Sequence, residues 1–589
     1  MIVQLRERGE CFNMKILGIS CFYHDSAAAL IQDGTLVAAA QEERFTRKKH
    51  DTSFPKNAVE FCFKQAGCSV KDINYVVFYE KPLLKFDRFL QSSIAKYPKS
   101  IHTFCKVLPS YFTEKLRIHK VLKKKIKYAG EVLFAKHHES HAASAFLCSP
   151  FKEAAILTVD GVGEWTTTSY GYGKNNVFEL YKEIQFPHSI GLLYSAVTGH
   201  LGFKINNDEY KVMGLAPYGR PVYYDQLRKL VIMKDDGSYA LNMEYFTYHY
   251  RTVMTGKKFA ELFGQRRTPE SIVGGDHKNL AASLQKVFED VLFEMAKQVY
   301  KETKSDNIVL AGGCALNSVA NGKITKNTPF KNVWVQPAAD DAGGALGAAL
   351  WAYHCVLKKP RKFVMEHAYW GPEFSTREIE DFLKKNNVAY EKLEENDIAK
   401  TAAKLIYENN VIGWFQGRME WGPRALGNRS ILSNACNNQM KDIINAKVKH
   451  REMFRPFAPV ISEEDVHDYF EIDKDEEPFM LFVYPIKEEK RALIPAVTHI
   501  DGSGRLQTTN KKQNLRYYCV IKEFEKLSNV PVLINTSFNI RGEPIVCTPR
   551  DAYRCMMGTG IDYLVMDKFL IARNDNPKDM WDSEHLARD

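Results

Sequence analysis

Hydrophobic positions in the first third of the chain fall into short runs that predict β-strands. "KILGIS" from Lys15 predicts one strand, and "SAAALIQDGTLVAAAQEE" from Ser26 predicts two more around a tight turn at Asp33 and Gly34. A similar set follows in "AAILTVDGVGEWTTTSYGYG", where a strand ends on Asp160 and a Thr/Tyr-rich strand returns after the glycines. The two sets predict a duplicated architecture, each half opened by a strand meander.

The segment between these two sets is helical in pattern and rich in lysine. Residues 83–128 include "KVLKKKIK" at Lys120 to Lys127. Leu and Ile at helical spacing need only a core to bury against. We therefore interpret the segment as the solvated helical face of an insertion, rather than as a patch that binds a membrane or a nucleic acid.

The second half of the chain shows a change of composition that suggests a domain boundary. A long helical stretch after Asn279 leads to the strand "NIVLAGGCALN", and "VWVQPAADDAGGALGAALWAY" predicts a strand, a loop and a helix of small residues. A Lys/Pro/Arg-rich run from Lys358 to His367 marks the best boundary. Beyond it, "YWGPEFSTREIEDFLKKNN" predicts a strand and a helix. We expect a short N-terminal extension, 1–13, followed by domains 14–362 and 363–589.

Composition limits the class of protein. A chain of 589 residues exceeds what one hydrophobic core usually supports, and 45% hydrophobic with 26% charged residues argues against disorder, collagen and coiled coil. The net charge of +10 suits anionic small molecules as well as nucleic acid. No apolar run is long enough to cross a bilayer, and the 12 cysteines include no CxxC pair, so we expect a cytoplasmic protein without a disulfide framework.

The segment "AKHHESHAASAF" raises the question of a metal site. On a helix, His137 and His141 share one face, whereas His138 lies about 100° around the axis. Together with Asp160 and Asp341 they would form a two-histidine, carboxylate set suited to Fe(II), Mn(II) or Zn(II). An HxxxH spacing alone is weak, however, and structural histidines are the commoner explanation.

Two kinds of segment look suited to phosphate groups. "GGCALN", Gly312 to Asn317, follows a strand and is expected to open a helix, where backbone amides can contact a nucleotide, although a lone Gly-Gly turn more often serves tight packing. The second half places many cations in segments rich in Gly, Pro and small polar residues, which favours a polyanionic ligand. These cations are Arg424, Arg429, Lys449, Arg451, Arg455, Arg505 and Arg541, and "TSFN" adds Ser537 and Asn539 as neutral hydrogen-bonding groups.

Longer motifs identify a family. They are "YHDSAAALIQDG", "EERFTRKKHD", "HHESHAASAF", "DEYKVMGLAPYG", "GGCALN", "GRMEWGPRALGNRSIL", "KHREMFRPFAPV" and "NTSFNIRGEPIV". From Met14 to about residue 575, the chain closely resembles the O-carbamoyltransferases of the nodulation-protein-U and antibiotic-carbamoylation type.

This resemblance implies a two-domain α/β enzyme. Residues 14–362 would form an actin-like (ASKHA, Kae-like) domain related to the tRNA threonylcarbamoyl transferases, and residues 363–589 a YrdC-like domain. The C-terminal domain would convert carbamoyl phosphate and ATP, with Mg(II), to carbamoyl adenylate, and the N-terminal domain would pass the carbamoyl group to a hydroxyl of a small-molecule or sugar acceptor. Neither a nucleic-acid partner nor a membrane span is expected, and a homodimer is left open.

The resemblance also implies roles for single residues. The family's metal, Fe(II) or another divalent ion, would be held by His137, His141, Asp160 and Asp341, with Asp340 as the alternative to Asp341. Carbamoyl phosphate and the ATP phosphates would be held by Arg424, Lys449, Arg455, Arg505 and Arg541, beside Ser537 and Asn539. The adenylate would be contacted by His24 and Lys49, with Lys211 as a weaker candidate, and its nucleotide part by Gly312, Gly313 and Asn317.

Two other functions use related folds. One is a tRNA-modifying protein or nucleotide-binding module. The intact second-domain motifs count against it, as does the lack of a concentrated stripe of basic residues that could bind nucleic acid. The other is an actin-like sugar kinase, which leaves the Arg-rich second domain unexplained. The sequence does not identify the acceptor.

Overall fold

A computed structural model of the chain describes residues 13–113 and 115–577. Residues 1–12 of the expected N-terminal extension therefore lie outside the described residues. Within the described ranges, no helix combines the length and apolar character that a membrane crossing requires.

The first sheet is built on the predicted meander. Its strands are β1 (Lys15–Ser20), β2 (Ala27–Gln32), β3 (Thr35–Gln41), β4 (Tyr75–Phe78) and β5 (Glu131–Phe134). The strand order is β3-β2-β1-β4-β5, with antiparallel pairs within the meander and parallel pairs from β1 through β4 to β5. Asp33 and Gly34 have φ of +50° and +80°, as a two-residue hairpin turn requires.

The second sheet repeats the first. Its region contains β6 (Glu153–Val159), β7 (Thr166–Lys174), β8 (Val177–Gln185), a separate ribbon of β9 (Val231–Met233) and β10 (Tyr239–Leu241), and then β11 (Asn307–Ala311) and β12 (Asn332–Val335). The order β8-β7-β6-β11-β12 has the same antiparallel and parallel pairs at the same places. The predicted duplication is confirmed, and it is the arrangement expected of an actin-like fold.

Helices of this half cover both sheets and fill the space between them. They are α1 (Glu43–Thr46), α2 (Lys56–Gln65), α3 (Pro82–Ala95), α4 (Ile101–Thr113), α5 (Ile118–Ile126), α6 (His137–Phe146), α7 (Ile190–His200), α8 (Glu209–Leu215), α9 (Tyr224–Arg228), α10 (Lys257–Phe263), α11 (Gly275–Thr303), α12 (Ser318–Asn321), α13 (Ile324–Asn327) and α14 (Asp341–Trp351). Helices α3, α4 and α5 confirm that the lysine-rich segment is helical. The "GGCALN" segment opens only a 3₁₀ turn, Gly313–Leu316, and the one-turn helix α12, because Asn317 caps a new helix there.

Two of these helices meet between the sheets and determine where the site lies. Helix α6 packs on the second sheet, α14 packs on the first, and the two helices pack against each other. A Cβ on Gly347 would lie 1.8 Å from the carbonyl oxygen of Ser140, so only glycine allows this approach. The small residues of α14 thus bring its N-terminus close to the histidines of α6.

The C-terminal half is a nine-stranded mixed sheet, which confirms its predicted α/β class. Its strands are β13 (Glu391–Lys392), β14 (Ile412–Phe415), β15 (Arg429–Asn434), β16 (Ala458–Ser462), β17 (Phe482–Pro485), β18 (Ser503–Thr509), β19 (Val532–Ser537), β20 (Tyr563–Met566) and β21 (Phe569–Ala572), in the order β13-β21-β20-β14-β15-β19-β16-β18-β17. Its helices are α15 (Thr376–Lys385), α16 (Glu395–Tyr407), α17 (Met440–Ile443), α18 (Val466–Tyr469), α19 (Glu488–Arg491), α20 (Leu515–Ser528) and α21 (Pro549–Met557). The strand predicted in "YWGPEF" is wrong, since among the described residues this segment forms only an isolated bridge between Tyr369 and Glu420.

Arginine side chains join the two halves through backbone carbonyls. Arg44 donates to the carbonyl of Gly422 at 2.9 Å, and Arg47 donates to the carbonyls of Pro544 and Ile545, both at 2.6 Å. In the other direction, Arg418 donates to the carbonyl of Val37 at 3.1 Å. These bonds join loops of the C-terminal half to α1, to Arg47 directly after it, and to β3 of the N-terminal half.

Candidate active site between the two halves

The four predicted metal ligands come together in the structure. His137 and His141 lie one turn apart on α6, and their Nε2 atoms are 3.1 Å from each other. Asp160, directly after β6, places Oδ2 3.2 Å from His137 Nε2. Asp341, the first residue of α14, places Oδ1 3.5 Å from His137 Nε2 and 3.6 Å from His141 Nε2. We call this group the His/Asp cluster.

The environment of the His/Asp cluster favours the charged forms of His137, Asp160 and Asp341. Burial lowers the pKa of His137, but Asp341 and Asp160 outweigh it and raise that pKa to about 9. Burial likewise raises the pKa of the two carboxyls, but the facing histidines hold both below the ordinary range for aspartate. All four residues are buried, Asp160 being the most exposed at 8%.

The donor set of the His/Asp cluster fits a divalent metal. Both carboxylate oxygens of Asp341 are buried without a hydrogen-bond partner among the described residues, although buried polar groups normally have one. Two imidazole nitrogens and two carboxylates that converge within 4.8 Å are ligands suited to Fe(II), Mn(II) or Zn(II). A bound ion would satisfy the oxygens of Asp341 that the protein leaves unpaired.

At two places the structure shows which of two adjacent residues faces the His/Asp cluster. The Nδ1 atom of His138 lies 2.7 Å from the hydroxyl oxygen of Thr158, so this histidine points away from the cluster. Asp340 caps α14, because its Oδ1 accepts a hydrogen bond from the amide of Ala342 at 3.1 Å. Asp341, rather than Asp340, therefore faces His137 and His141.

A cavity of about 430 Å³ runs between the two halves, with Asp160 of the His/Asp cluster on its wall. Both halves contribute to the lining, and volumes of 300–1,000 Å³ are typical of ligand pockets. The predicted residues on the wall are His24, Lys49, Asp160, Gly313 and Asn317 from the N-terminal half and Arg424, Arg451, Arg455, Arg505, Ser537 and Asn539 from the C-terminal half.

His24 connects the cavity wall to the His/Asp cluster. Its Nε2 lies 3.8 Å from Asp341 Oδ2, and its Nδ1 lies 2.9 Å from Asp25 Oδ2. Asp25 also lies 2.7 Å from His50 Nδ1, and His50 in turn reaches the side-chain oxygen of Asn207 at 2.8 Å. Burial lowers the pKa of His24, but Asp341 and Asp25 outweigh it and raise that pKa to about 10. The chain of contacts fixes the orientation of the His24 ring.

Cations from both halves meet over one aromatic ring. The Nζ of Lys49 lies 5.8 Å from the ring centre of Tyr210, and the guanidinium of Arg455 lies 4.8 Å from the same centre. Tyr210, Lys49 and Arg455 all line the cavity, so this ring contacts one cation from each half. An anion in the cavity can therefore meet cations from both halves.

The C-terminal wall of the cavity is a cluster of arginines. The Nε atoms of Arg424 and Arg505 are buried without a partner among the described residues. Burial lowers the pKa of Arg505, and the nearby cations Arg424, Arg451 and Arg455 lower it further. Buried like charges with unpaired donors are unfavourable alone, and a polyanion in the cavity would relieve them.

Lys449 lies behind this wall. Its Nζ donates to the side-chain oxygen of Asn539 at 2.7 Å, to the carbonyl of Asn539 at 3.1 Å and to the carbonyl of Ser537. Burial lowers the pKa of Lys449 well below its usual range, and Arg451 and Arg455 add to the effect. The structure therefore brings Ser537 and Asn539 to the cavity and places Lys449 where it orients them.

Three other predicted residues do not lie on the cavity wall. Lys211 is buried between the halves, 3.1 Å from Asp208 Oδ2 and 3.4 Å from Glu452 Oε1. Arg541 lies outside the cavity, 3.1 Å from the carboxylate of Glu270. Gly312 packs its backbone on β6, where its φ of +93° suits glycine. Their predicted ligand contacts find no support in this geometry and stay predictions.

Two predicted nucleotide contacts on the wall already have protein partners. The amide of Gly313 donates to Asp160 Oδ1 at 2.9 Å. The side chain of Asn317 exchanges two hydrogen bonds with Gln285, at 3.0 and 3.1 Å. Gly313 thus positions a member of the His/Asp cluster, and Asn317 shapes the wall. Arg429 is also structural, since it is fully buried and donates to several backbone carbonyls.

Sequence reasoning missed several wall residues, among them Tyr210, Lys441 and His499. Tyr210 belongs to the motif "DEYKVMGLAPYG", in which the family resemblance assigns a role only to Lys211. Membership of that motif is the sequence signal that could have identified Tyr210. Lys441 and His499 come from segments without a distinctive pattern, and only the fold brings them to the cavity.

Comparison with known families agrees with this two-part construction. A family model described as "Carbamoyltransferase N-terminus" matches residues 15–350, and one described as "Carbamoyltransferase C-terminus" matches residues 403–573. The two matches cover both walls of the cavity and all four residues of the His/Asp cluster.

Similar proteins extend over nearly the whole chain. An uncharacterised protein of Synechocystis sp. is 49% identical over 96% of this chain and 97% of its own length. "Nodulation protein NolNO" of Sinorhizobium fredii is 37% identical over 95% of this chain and 80% of its own length. Among solved structures, HypF of T. kodakarensis is 12% identical with a TM-score of 0.31, and the match covers 59% of this chain and 48% of HypF.

Proposed function

The chain belongs to the carbamoyltransferase family, and we propose that it is an O-carbamoyltransferase that activates the carbamoyl group as carbamoyl adenylate. The observation that carries this proposal is the single cavity with the arginine cluster on one wall and Asp160 of the His/Asp cluster on the other. The positive charge of the arginine cluster suits the phosphate groups of carbamoyl phosphate and ATP. The His/Asp cluster suits transfer of the carbamoyl group.

The activation step uses the C-terminal wall. Water cleaves carbamoyl phosphate to carbamate and phosphate, a carbamate oxygen bonds to the α-phosphorus of ATP, and pyrophosphate leaves. Arg424, Arg455 and Arg505 bind the phosphate oxygens and stabilise the negative charge that develops on the leaving pyrophosphate. Lys449 holds Ser537 and Asn539 toward the substrates through its hydrogen bonds.

The transfer step uses the N-terminal wall. The acceptor hydroxyl oxygen bonds to the carbamoyl carbon, and AMP leaves with the oxygen that linked it to that carbon. The proton of the acceptor hydroxyl leaves on the phosphate group of AMP, and His24, oriented by Asp25 and kept protonated by its raised pKa, donates a hydrogen bond to the leaving oxygen. A divalent metal held by His137, His141, Asp160 and Asp341 would supply Lewis-acid polarisation. Because one cavity contains both walls, the adenylate need not pass through bulk water.

We assign the two steps to the two domains as 14–362 for transfer and 363–589 for activation. The acceptor is a hydroxyl-bearing small molecule or sugar, Mg(II) accompanies ATP, and Fe(II) is the metal that we propose for the His/Asp cluster. A domain expressed alone would lack one wall of the cavity, so both halves are required for turnover.

The test is nucleotide release without an acceptor. Purified protein reconstituted with iron is given ATP and carbamoyl phosphate, and pyrophosphate and carbamoyl adenylate are followed. We expect pyrophosphate formation that requires carbamoyl phosphate and is lost in Arg455→Ala. Arg377→Ala is the matched control, because Arg377 is 91% exposed on α15 and does not line the cavity. Formation of ADP, or no turnover by metal-loaded protein, would refute the proposal and favour a kinase or a binding module.

A further inference from the structure

The charge of the chain is concentrated in the helical insertion. Residues 83–128 contain twelve lysines and arginines and only two acids, a net charge of +10, which equals the net charge of the whole chain. The remainder of the protein is therefore close to neutral. A local field of this size attracts an anionic surface over about a Debye length, roughly 8 Å at physiological ionic strength.

The insertion also exposes large apolar side chains. Helices α3 and α4 form a hairpin whose inner face is aromatic, with Phe89 stacked on Phe104 at 5.4 Å and Phe86 packed on Tyr111 at 5.1 Å. Six large apolar residues point outward, and we call them and the lysines between them the hairpin surface. They are Leu83 (72% exposed), Leu84 (40%), Ile94 (67%), Tyr97 (72%), Ile101 (48%) and Phe112 (55%), with Lys96, Lys99 and Lys106.

This arrangement differs from the sequence interpretation in one part of the insertion. In α5, Ile118, Leu122 and Ile126 are buried, so the predicted solvated helix with a buried apolar face is correct there. In the hairpin, Leu83, Leu84, Ile94 and Ile101 do not pack on the core. Apolar residues at helical spacing thus have no core partner at the tip of the insertion.

The hairpin is held firmly to the rest of the protein. Arg88 on α3 donates to the carbonyl of Gly163 at 2.7 Å, and the hydroxyl of Thr103 on α4 donates to the carbonyl of Tyr250 at 3.1 Å. The turn Lys115–Arg117 packs against α3, α4 and α5. The exposed apolar residues and the basic helix α5 therefore form one structural unit with a fixed surface.

Charge and apolarity together select the partner. Within the described residues, none of the exposed lysines at 96, 99, 106, 120, 124, 125 and 127 pairs with a carboxylate, so their charge is not compensated by the protein. A second copy would oppose two strongly positive surfaces. Nucleic acid would use the lysines but offers no site for the aliphatic Leu83, Ile94 and Ile101, whereas the interface of an anionic bilayer accommodates both.

We propose that the hairpin surface docks the protein on an anionic lipid bilayer. Ile94, Tyr97 and Ile101, close to the turn between α3 and α4, enter the boundary between headgroups and acyl chains, and the lysines of the hairpin and of α5 contact acidic headgroups. The association is peripheral and reversible, since only a few apolar side chains are buried and no helix in the described part of the chain is long and apolar enough to cross a membrane. This inference is independent of the proposed chemistry.

The test is flotation of the full chain with vesicles. Vesicles of phosphatidylcholine with 30% phosphatidylserine are compared with pure phosphatidylcholine, at about 0.1 M and 0.5 M salt. We expect binding only to the anionic vesicles and only at the lower salt. Replacing Lys120, Lys124 and Lys125 together by Glu should weaken binding at least about 100-fold, since each basic residue near a charged membrane contributes about fivefold and three of them together contribute about 100-fold.

A second variant tests the apolar part of the hairpin surface. Ile94→Ser with Ile101→Ser should weaken binding to anionic vesicles at least about tenfold without changing the net charge. The matched controls are Lys297→Glu with Lys301→Glu and Lys326→Glu, and Val222→Ser with Ile272→Ser, which change exposed residues elsewhere. All variants are checked for an unchanged thermal transition, so loss of folding is not mistaken for loss of binding.

Several results would overturn the proposal. One is the absence of vesicle binding by the unchanged protein, and another is binding that the hairpin variants and their controls reduce equally. Retention of single-stranded RNA or DNA with no retention of vesicles would assign the surface to nucleic acid. A dimer that dissociates in Ile94→Ser with Ile101→Ser, without vesicle binding, would assign it to a second copy of the chain.

Discussion

Replacement of Asp341 by Asn should remove metal binding, whereas the same replacement at Asp340 should not. Both oxygens of Asp341 are buried without a hydrogen-bond partner among the described residues, and Oδ1 lies 3.5–3.6 Å from the two histidine Nε2 atoms. Asp340 instead caps α14 through Ala342. The two neighbours thus form a matched pair of substitutions with the same change of chemistry.

The magnitude follows from the role of each carboxylate. Loss of an outer partner of a metal ligand typically costs 10–100-fold in affinity. Loss of the charge of a ligand itself should therefore cost at least about 100-fold, or about 2.7 kcal/mol. Asn is as good a cap as Asp, so Asp340→Asn should change stability by only a few tenths of a kcal/mol.

The assay combines metal affinity with thermal stability. Isothermal titration with Mn(II), and anaerobically with Fe(II), gives the dissociation constant of each variant. At a metal concentration of about 100 times the wild-type constant, bound metal stabilises the protein by about 2.7 kcal/mol, and most of this should vanish in Asp341→Asn. Equal loss of affinity in both variants, or full metal affinity in Asp341→Asn, would refute the assignment of ligands.

Three further substitutions test the packing around the site. Arg429→Met should lower the free energy of unfolding by at least about 3 kcal/mol, because buried backbone carbonyls lose their donor, and an unchanged denaturation midpoint would contradict this. Gly312→Ala should cost at least about 2 kcal/mol, measured in the same way, since its Cβ would lie 2.3 Å from the carbonyl oxygen of Val159. Burial lowers the pKa of His200 to about 4, below about 6.5 in the unfolded chain, so wild-type stability falls as pH drops from 6.5 through 4. His200→Leu should reduce that fall by up to about 3 kcal/mol, and identical pH profiles would exclude the effect.

The sequence predicted the parts of the site that depend on local geometry. His137 and His141 share a face because the helical period places residues four apart together. The duplication of the sheets followed from two meanders with the same pattern, and it makes α14 the counterpart of α6, so that Asp341 opens one helix and His137 the other. Their convergence additionally depends on the close approach of α6 and α14 at Gly347 and Ser140, which no local pattern reveals.

What the sequence could not predict depends on contacts between distant segments. The family resemblance assigns Lys449 to phosphate binding, and in the structure the loop around Ser537 and Asn539 surrounds its ammonium group with oxygen acceptors. The resemblance assigns Arg541 to the same site, and Glu270 of the other half lies opposite its guanidinium. In both cases a residue far along the chain determines where the cation points.

Arg424 and Arg429 show the same limit within one motif. Both belong to "GRMEWGPRALGNRSIL" and share the same Gly-rich surroundings, so composition predicts the same role for each. Arg429 begins β15, and its guanidinium faces carbonyls of the preceding loop and lies 3.7 Å from the ring centre of Phe415. Among the described residues, the Nε atoms of both arginines are buried without a partner, but the terminal nitrogens of Arg429 donate to carbonyls, whereas no hydrogen bond joins the guanidinium of Arg424, on the cavity wall, to the protein. Acceptors from the protein satisfy one arginine and leave the other for a ligand, so the number of available carbonyls around a buried arginine, rather than its sequence context, separates a structural cation from a substrate-binding one.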